Sequence, residues 1–378
     1  MPQFGPLFNL NYNAPESDRG GPLTKWSFYI LTFLTTVTVV QAGPRFQDVR
    51  LDRKNYSMYL VPVTHQHGPP LCFAFAATQM VDAYRSSLYQ KDLAERGEKK
   101  SQSEMQQELP PSSAFATAVW TGYETGLSYE QTLNSGGFLC EAMNSLLKQG
   151  HCEAQKTQGL FAGLKAFPRT ENERQQDLMA GNKFLTENKI YKSPVVEELF
   201  AGHAQELQNG HHSDPRLAIL KQQVDQSCDP TEDLSYLKLT CQEIRRKGPR
   251  PERGDLLIEQ INKELDKGTG ALPIGIKYCA NFLDKGPEYQ AAYPVQREGS
   301  DKAEWVWRQD CLVHYSLIIG RRSQNLPSPQ YLIRDSYGTD CGGSSLHPAF
   351  VCEQGNIWVE EEMIKSNLLE IDLLLPPE

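Results

Sequence analysis

Gln66-His67-Gly68-Pro69-Pro70-Leu71-Cys72-Phe73-Ala74-Phe75-Ala76-Ala77 is the stretch around which the chain is organised. Consecutive prolines cannot continue inside a helix but can lead into one. After them Phe73, Ala77, Met80, Tyr84 and Leu88 recur at helical spacing, which predicts a helix from about Cys72 to Leu88. Cys72 then sits in the first turn, where unpaired backbone N–H groups and the macrodipole favour an anion. A thiolate is the reactive form of cysteine, and a helix N-terminus lowers its pKa. The competing reading is a buried structural cysteine or half a disulfide.

Working outward, the composition is that of a globular protein, with 22% charged and 39% hydrophobic residues over 378 positions. A net charge of -9 without a basic stripe argues against nucleic-acid binding. Lys25, the apolar run Trp26 to Val40 and the small residues of Gln41-Ala42-Gly43 read as a secretory signal peptide cut near Ala42, and so as a secreted or periplasmic protein. The run is short and threonine-rich for a spanning helix, so no stable membrane span is expected. The nine cysteines are an odd number, and setting Cys72 aside leaves eight, enough for four disulfides in an oxidising compartment. Proximity suggests Cys140–Cys152, Cys228–Cys241, Cys279–Cys311 and Cys341–Cys352, although sequence does not fix connectivity. No CxxC pair is present, and nothing calls for a metal or cofactor.

Four segments are expected: 1–42, a disordered N-terminus and signal peptide; 43–152, with the nucleophile helix; 153–268, a polar, mostly helical insertion; and 269–378, rich in strands. Helices are also expected over Phe115–Tyr123, Leu139–Gln149 with Gly150 as its stop, and Leu256–Leu265. His203, His211 and His212 read as a surface loop rather than a metal site. Strands are expected at Ala271–Tyr278, Leu312–Ile319, Tyr331–Ser336, Asn356–Val359 and Leu368–Leu375. A plain hairpin turning at Gln324–Asn325 would set His314 directly opposite Asp335, with Cβ atoms about 5 Å apart. A bulge could shift that register. A cysteine nucleophile needs an imidazole to take its proton and a third group to orient the imidazole, and Cys72, His314 and Asp335 are those residue types. Taken singly, His314 also reads as a satisfied strand histidine and Asp335 as an Asx-turn.

Together these residues resemble the papain-like cysteine proteases. Gln66 precedes Cys72 by the family's six residues, and Phe73-Ala74-Phe75 stands for its Trp-Ala-Phe. His314 opens an apolar strand ending in Gly320. Asp335-Ser336-Tyr337-Gly338-Thr339-Asp340-Cys341-Gly342 resembles the family's Asn-Ser-Trp-Gly-x-x-x-Gly. Gly136-Gly137 resembles its cleft-lining glycine pair. The resemblance implies an α+β, two-lobed fold, with a helical lobe carrying Cys72 and a β-barrel-like lobe carrying His314. It implies a peptidase in which Cys72 attacks, His314 is base and then acid, Asp335 orients it, and Gln66 with the Cys72 N–H forms the oxyanion hole.

The departures are specific. Asp335 replaces asparagine, Tyr337 and Phe73 replace tryptophans, and Pro69-Pro70-Leu71 replaces a Gly- and Cys-containing loop. The cysteine-to-histidine gap is 242 residues against about 130–150 in the family. Only 29 residues separate Ala42 from Cys72, too few for an inhibitory prosegment. Two other functions fit the same residues: a non-catalytic relative binding peptides in the cleft, and a transglutaminase-like Cys-His-Asp acyl transferase, which Asp335 favours.

Overall fold

The computed structural model describes residues 46–377 apart from 67–69, 135, 164–213, 230, 297–302 and 325. The expected signal peptide and the histidine loop lie outside the described residues. The chain divides into a unit of Met1–Ala42 and a compact unit of Gly43–Glu378, and only the second is treated below.

The helices come first in the chain. They are α1 (Cys72–Arg96), α2 (Gln102–Glu108), α3 (Ala114–Glu124), α4 (Tyr129–Asn134), α5 (Leu139–Gln149), α6 (Ala154–Gly163) and α7 (Pro215–Cys228). α1 outruns its apolar pattern and ends only at Gly97, whose left-handed φ of 68° closes the last turn. Its first half is buried almost all round, while Leu88 is exposed. α5 runs between the residues expected, stopped by Gly150 at φ 93°.

Strands precede and follow. β1 (Val49–Arg50) comes before the helices, and β2 (Thr240–Arg245) after them. Then come α8 (Asp255–Leu265), β3 (Ile274–Cys279), α9 (Asn281–Lys285), β4 (Ala292–Gln296), β5 (Ala303–Trp307), β6 (Val313–Arg322) and β7 (Gln330–Arg334). β8 (Cys352–Glu353), β9 (Asn356–Glu360), α10 (Glu361–Asn367) and β10 (Leu368–Leu375) complete the unit. Among the described residues the main sheet is antiparallel in the order β2-β10-β3-β6-β7-β9-β8, with β1 also on β6, and β4-β5 form a separate ribbon. The class is therefore α+β, as expected. The barrel is not: the sheet is open, with β2 at one edge and the short β8 at the other. One hydrophobic core runs from Phe73, Met80 and Trp120 in the helices to Ile276, Leu317 and Ile371 in the strands.

The stretch 153–268 is not helical throughout. β2 within it forms a six-residue ladder with β10, from Glu370↔Arg245 to Leu375↔Thr240. That placement overturns two of the expected disulfides. β2 lies beside α5, so Cys241 meets Cys140 at a Cα separation of 5.4 Å, while α7 brings Cys228 to Cys152 at 5.1 Å. Neighbours in sequence were thus separated by elements that pack elsewhere. Cys279–Cys311 and Cys341–Cys352 form as expected. Among the described residues no helix is long and apolar enough to cross a membrane.

Candidate active site

Cys72 is the first residue of α1, with Leu71 as its N-cap. It is the one cysteine outside the four disulfides, so the disulfide reading of it is excluded. Its thiol is hydrogen-bonded to the His314 ring and to the backbone N–H of Tyr315, the residue after His314. The helix start and the beginning of β6 thus meet at one sulfur. All three of Cys72, His314 and Asp335 are buried.

The histidine and the aspartate meet by a route other than the plain hairpin. Leu317 pairs with Arg334 and Ile318 with Ile333, and a bulge between Ile318 and Gly320 then shifts the register. Continuing that register sets Asp335 opposite Ser316, one step diagonal from His314. The side chains close the gap, with His314 Nε2 and Asp335 Oδ1 2.8 Å apart. Asp335 Oδ1 also accepts from the Ser336 backbone N–H at 2.5 Å. The ring is held on its faces as well: Tyr337 stacks on it at 5.3 Å and 6°, and Tyr278 meets it edge-on at 5.8 Å and 84°. Tyr337 therefore covers one face of the His314 ring.

Gln66 reaches the site along an extended lead-in. His65 bridges Tyr337, the Gln66 N–H donates to the Ser336 carbonyl at 2.8 Å, and the Gly338 N–H donates to Thr64 at 3.0 Å. Gly338 is required there: its φ is 82°, and a Cβ would come within 2.7 Å of the His65 ring. The Ser336 hydroxyl donates to Gln66 Oε1 at 2.6 Å. That bond identifies Oε1 as the acceptor end of the amide and leaves its NH₂ as the donor end. The glycine pair stands against the same helix start. Gly136 adopts φ 75° beside the Pro70 carbonyl, and a Cβ on Gly137 would lie 2.6 Å from the Phe73 ring. The site residues named from sequence thus come together, with Gly136 and Gly137 alongside.

The charges support one another. Burial alone would push the Cys72 thiol up, but the His314 cation and its hydrogen bond outweigh this and hold it below the usual thiol range. Burial alone would push the His314 imidazole down, but the Asp335 carboxylate and the Cys72 sulfur outweigh this and hold it well above its usual range. Both directions favour a thiolate beside an imidazolium. With Nε2 turned to Asp335, Nδ1 is the ring nitrogen left for proton exchange with sulfur.

Sequence reasoning missed three supporting groups: the Tyr315 N–H at the sulfur, the Ser336 hydroxyl that fixes Gln66, and Tyr278, whose hydroxyl shares a hydrogen bond with the Ser316 hydroxyl at 2.9 Å. Ser336 was visible as the second residue of the Asp335 motif; the other two are ordinary strand residues. Two side-chain clusters among the described residues bring three ligand-type atoms within 4.8 Å. In Cys140, Cys241 and Asp372 the cysteines are spent on a disulfide. The other is Glu243, Glu370 and Asp372.

No protein-family model and no curated protein matches the chain. Among solved structures, a mite allergen from work on antibody cross-reactivity between Blo t 1 and Der p 1 overlaps at 12% identity and a TM-score of 0.41, covering 89% of this chain and 73% of that one. PepW of Lactobacillus rhamnosis overlaps at 12% and 0.42, covering 88% and 82%. Amb a 11, a ragweed pollen cysteine protease in its proform, overlaps at 13% and 0.38, covering 90% and 69%. Overlaps this loose leave the chemistry to rest on the residues and distances above.

Proposed function

We propose that the protein is an exported cysteine peptidase of papain-like organisation. One observation carries the reading: the unpaired Cys72 at a helix start is hydrogen-bonded to a buried histidine that a buried aspartate holds at 2.8 Å. The Cys72 thiolate attacks the scissile carbonyl carbon. The carbonyl electron pair moves to oxygen, which is met by the Gln66 NH₂ and the Cys72 backbone N–H, a first-turn amide with no partner inside the helix. The intermediate collapses to a thioester as the imidazolium gives its proton to the departing amine. Water, deprotonated by the now neutral His314, then displaces the sulfur, releasing the acid and restoring the thiolate beside the imidazolium. Asp335 keeps the ring turned and stabilises its charged form.

Gly136 and Gly137, which pack without side chains against Pro70 and Phe73, line the peptide cleft in this reading. Four disulfides agree with an oxidising compartment, hence with secretion or the periplasm. The segments 43–152 and 269–378 act in this reading as the two sides of the cleft. The full chain is expected to hydrolyse a fluorogenic peptide, and Cys72→Ala to abolish that hydrolysis. Survival of hydrolysis in Cys72→Ala would refute the assignment. Amine incorporation into glutamine side chains without hydrolysis would favour the acyl-transferase reading instead.

A further inference from the structure

The chain is acidic as a whole, yet one short segment reverses the sign. The nine residues Arg245-Arg246-Lys247-Gly248-Pro249-Arg250-Pro251-Glu252-Arg253 hold five basic side chains and one acid. They run from the last residue of β2 through a single 3₁₀ turn, Pro251–Arg253, to the start of α8. A run of this composition suits a polyanion, and it also suits a plain solvated loop. What each side chain does separates the two.

Arg246 faces inward. It is 8% exposed, and its guanidinium donates to the carbonyls of Lys365 at 3.0 Å, Leu368 at 3.1 Å, Pro249 at 3.1 Å and Arg250 at 2.8 Å. One buried side chain thus ties the loop to the junction of α10 with β10 and to its own far limb. The Arg246 backbone N–H adds a bond to the Leu369 carbonyl at 2.9 Å. Gly248 makes the bend, with φ 102°, and the prolines at 249 and 251 restrict φ on either side of Arg250. A loop stapled in this way holds its shape without a ligand, so binding there has little chain to order.

Three cations face outward. Lys247, Arg250 and Arg253 are exposed, and none has an ion pair among the described residues. Arg245 is spent on Glu243 and on Glu370, the second at 3.2 Å. Of the acids close in sequence, Asp255 is paired with Lys365 at 3.1 Å, and Glu252 alone stands among the three cations. An aromatic ring adjoins them. Trp307, the last residue of β5, lies with its ring 5.1 Å from the Arg246 guanidinium and is 38% exposed. The apolar face of a sugar ring packs on an indole, and the sulfate groups of the same polymer accept from ammonium and guanidinium N–H groups.

We infer that Lys247, Arg250 and Arg253, with Trp307 at their base, form a docking site for a sulfated polysaccharide. The site uses none of the residues assigned to hydrolysis. A chain of net charge -9 has no overall attraction for a polyanion, so any such binding must be local. The choice of a polysaccharide over a nucleic acid rests on the export reading; the loop itself rests on the unpaired cations.

The test is heparin binding to the full chain, measured by calorimetry over a range of salt concentrations. The wild type is expected to bind, with an affinity that falls as salt rises. Lys247→Gln, Arg250→Gln and Arg253→Gln together should weaken binding roughly tenfold, as three exposed contacts would. They should also flatten the slope of log affinity against log salt by about 1 per residue. Unchanged iodoacetamide labelling of Cys72 verifies that this variant is folded. Lys99→Gln, the same loss of charge at an exposed lysine just after α1, should leave affinity and slope unchanged. Trp307→Ala should weaken heparin more than polyphosphate, which has the charge and no ring. No heparin binding at low salt, or a triple variant indistinguishable from Lys99→Gln, would overturn the site. Tighter binding to duplex DNA or to phosphatidylserine vesicles than to heparin would overturn the sugar as its ligand, as would equal losses for heparin and polyphosphate in Trp307→Ala. Appearance of the chain in the medium of a secreting host is scored separately: export without heparin binding would retire the site and keep the export reading, and heparin binding without export would do the reverse.

Discussion

Asp335 and Asp372 are buried to the same degree, 1% and 0% exposed, a few strands apart in one sheet. Asp335 meets an imidazole and a backbone N–H. Asp372 meets Glu370 along its own strand and Glu243 across the ladder, and no cation within ion-pairing distance among the described residues. The first arrangement raises its partner's proton affinity; the second raises its own. Burial penalises charge in both places, and the neighbours decide whether the outcome is an ion pair or a held proton.

Removing the ion pair should produce the largest effects. Asp335→Ala is expected to lower kcat/KM for peptide hydrolysis by about 10²–10⁴-fold, measured under steady-state conditions. Asp335→Asn sharpens the contrast, because it keeps an acceptor and loses the charge. The His314 proton affinity then falls, and the alkaline limb of the pH–rate profile should move to lower pH, since the imidazolium is lost sooner. An unmoved limb would mean that Asp335 does not set the histidine's charge.

Gln66→Ala should reduce kcat by about 10²-fold, the cost of one oxyanion-hole donor. A change confined to KM would instead place Gln66 in ground-state binding.

The second aspartate should speak through stability. Its folded proton affinity is raised from 3.8 to about 8. A raised carboxyl binds its proton more tightly folded than unfolded, so this contribution is full at low pH and is lost as pH rises from about 4 to about 8. Asp372→Asn removes the titration and should flatten the curve, making the variant more stable than the wild type at pH 8 by a few kcal/mol in urea melts. Identical slopes in the two proteins would show that Asp372 is ionised in the folded state. Tyr337→Ala, which strips one face of the His314 ring, should cost only about 1 kcal/mol of stability.

How much of this could be read in the sequence follows the range of each interaction. Cys72, Gln66, His314 and Asp335 sit in short motifs whose residue types announce their chemistry; the helix starts at Cys72 and a strand carries His314 as periodicity put them, while Asp335 falls just past the end of its strand. The His314–Asp335 contact was foreseen from a plain hairpin that does not exist. The ladder begins at Arg322↔Gln330, already off the plain hairpin's register, the bulge beside Ile318 takes back part of that offset, and the contact survived because the side chains reach diagonally. The pairings of Cys140 and Cys152 were not legible, because they depend on where β2 and α7 pack. Glu370 and Asp372 left a signal that went unread: two acids on one face of the otherwise apolar Leu368-Leu369-Glu370-Ile371-Asp372-Leu373-Leu374-Leu375. An acid inside such a run must find a partner or keep its proton.

The central claim is that Cys72 is a thiolate because His314 is an imidazolium. Alkylation of Cys72 by iodoacetamide as a function of pH, with the modified residue mapped by mass spectrometry, tests it directly. The account predicts rapid alkylation persisting well below the ordinary thiol range near pH 8–9, and a return to an ordinary thiol profile in His314→Ala. An ordinary profile in the wild type, or one indifferent to His314→Ala, would contradict it.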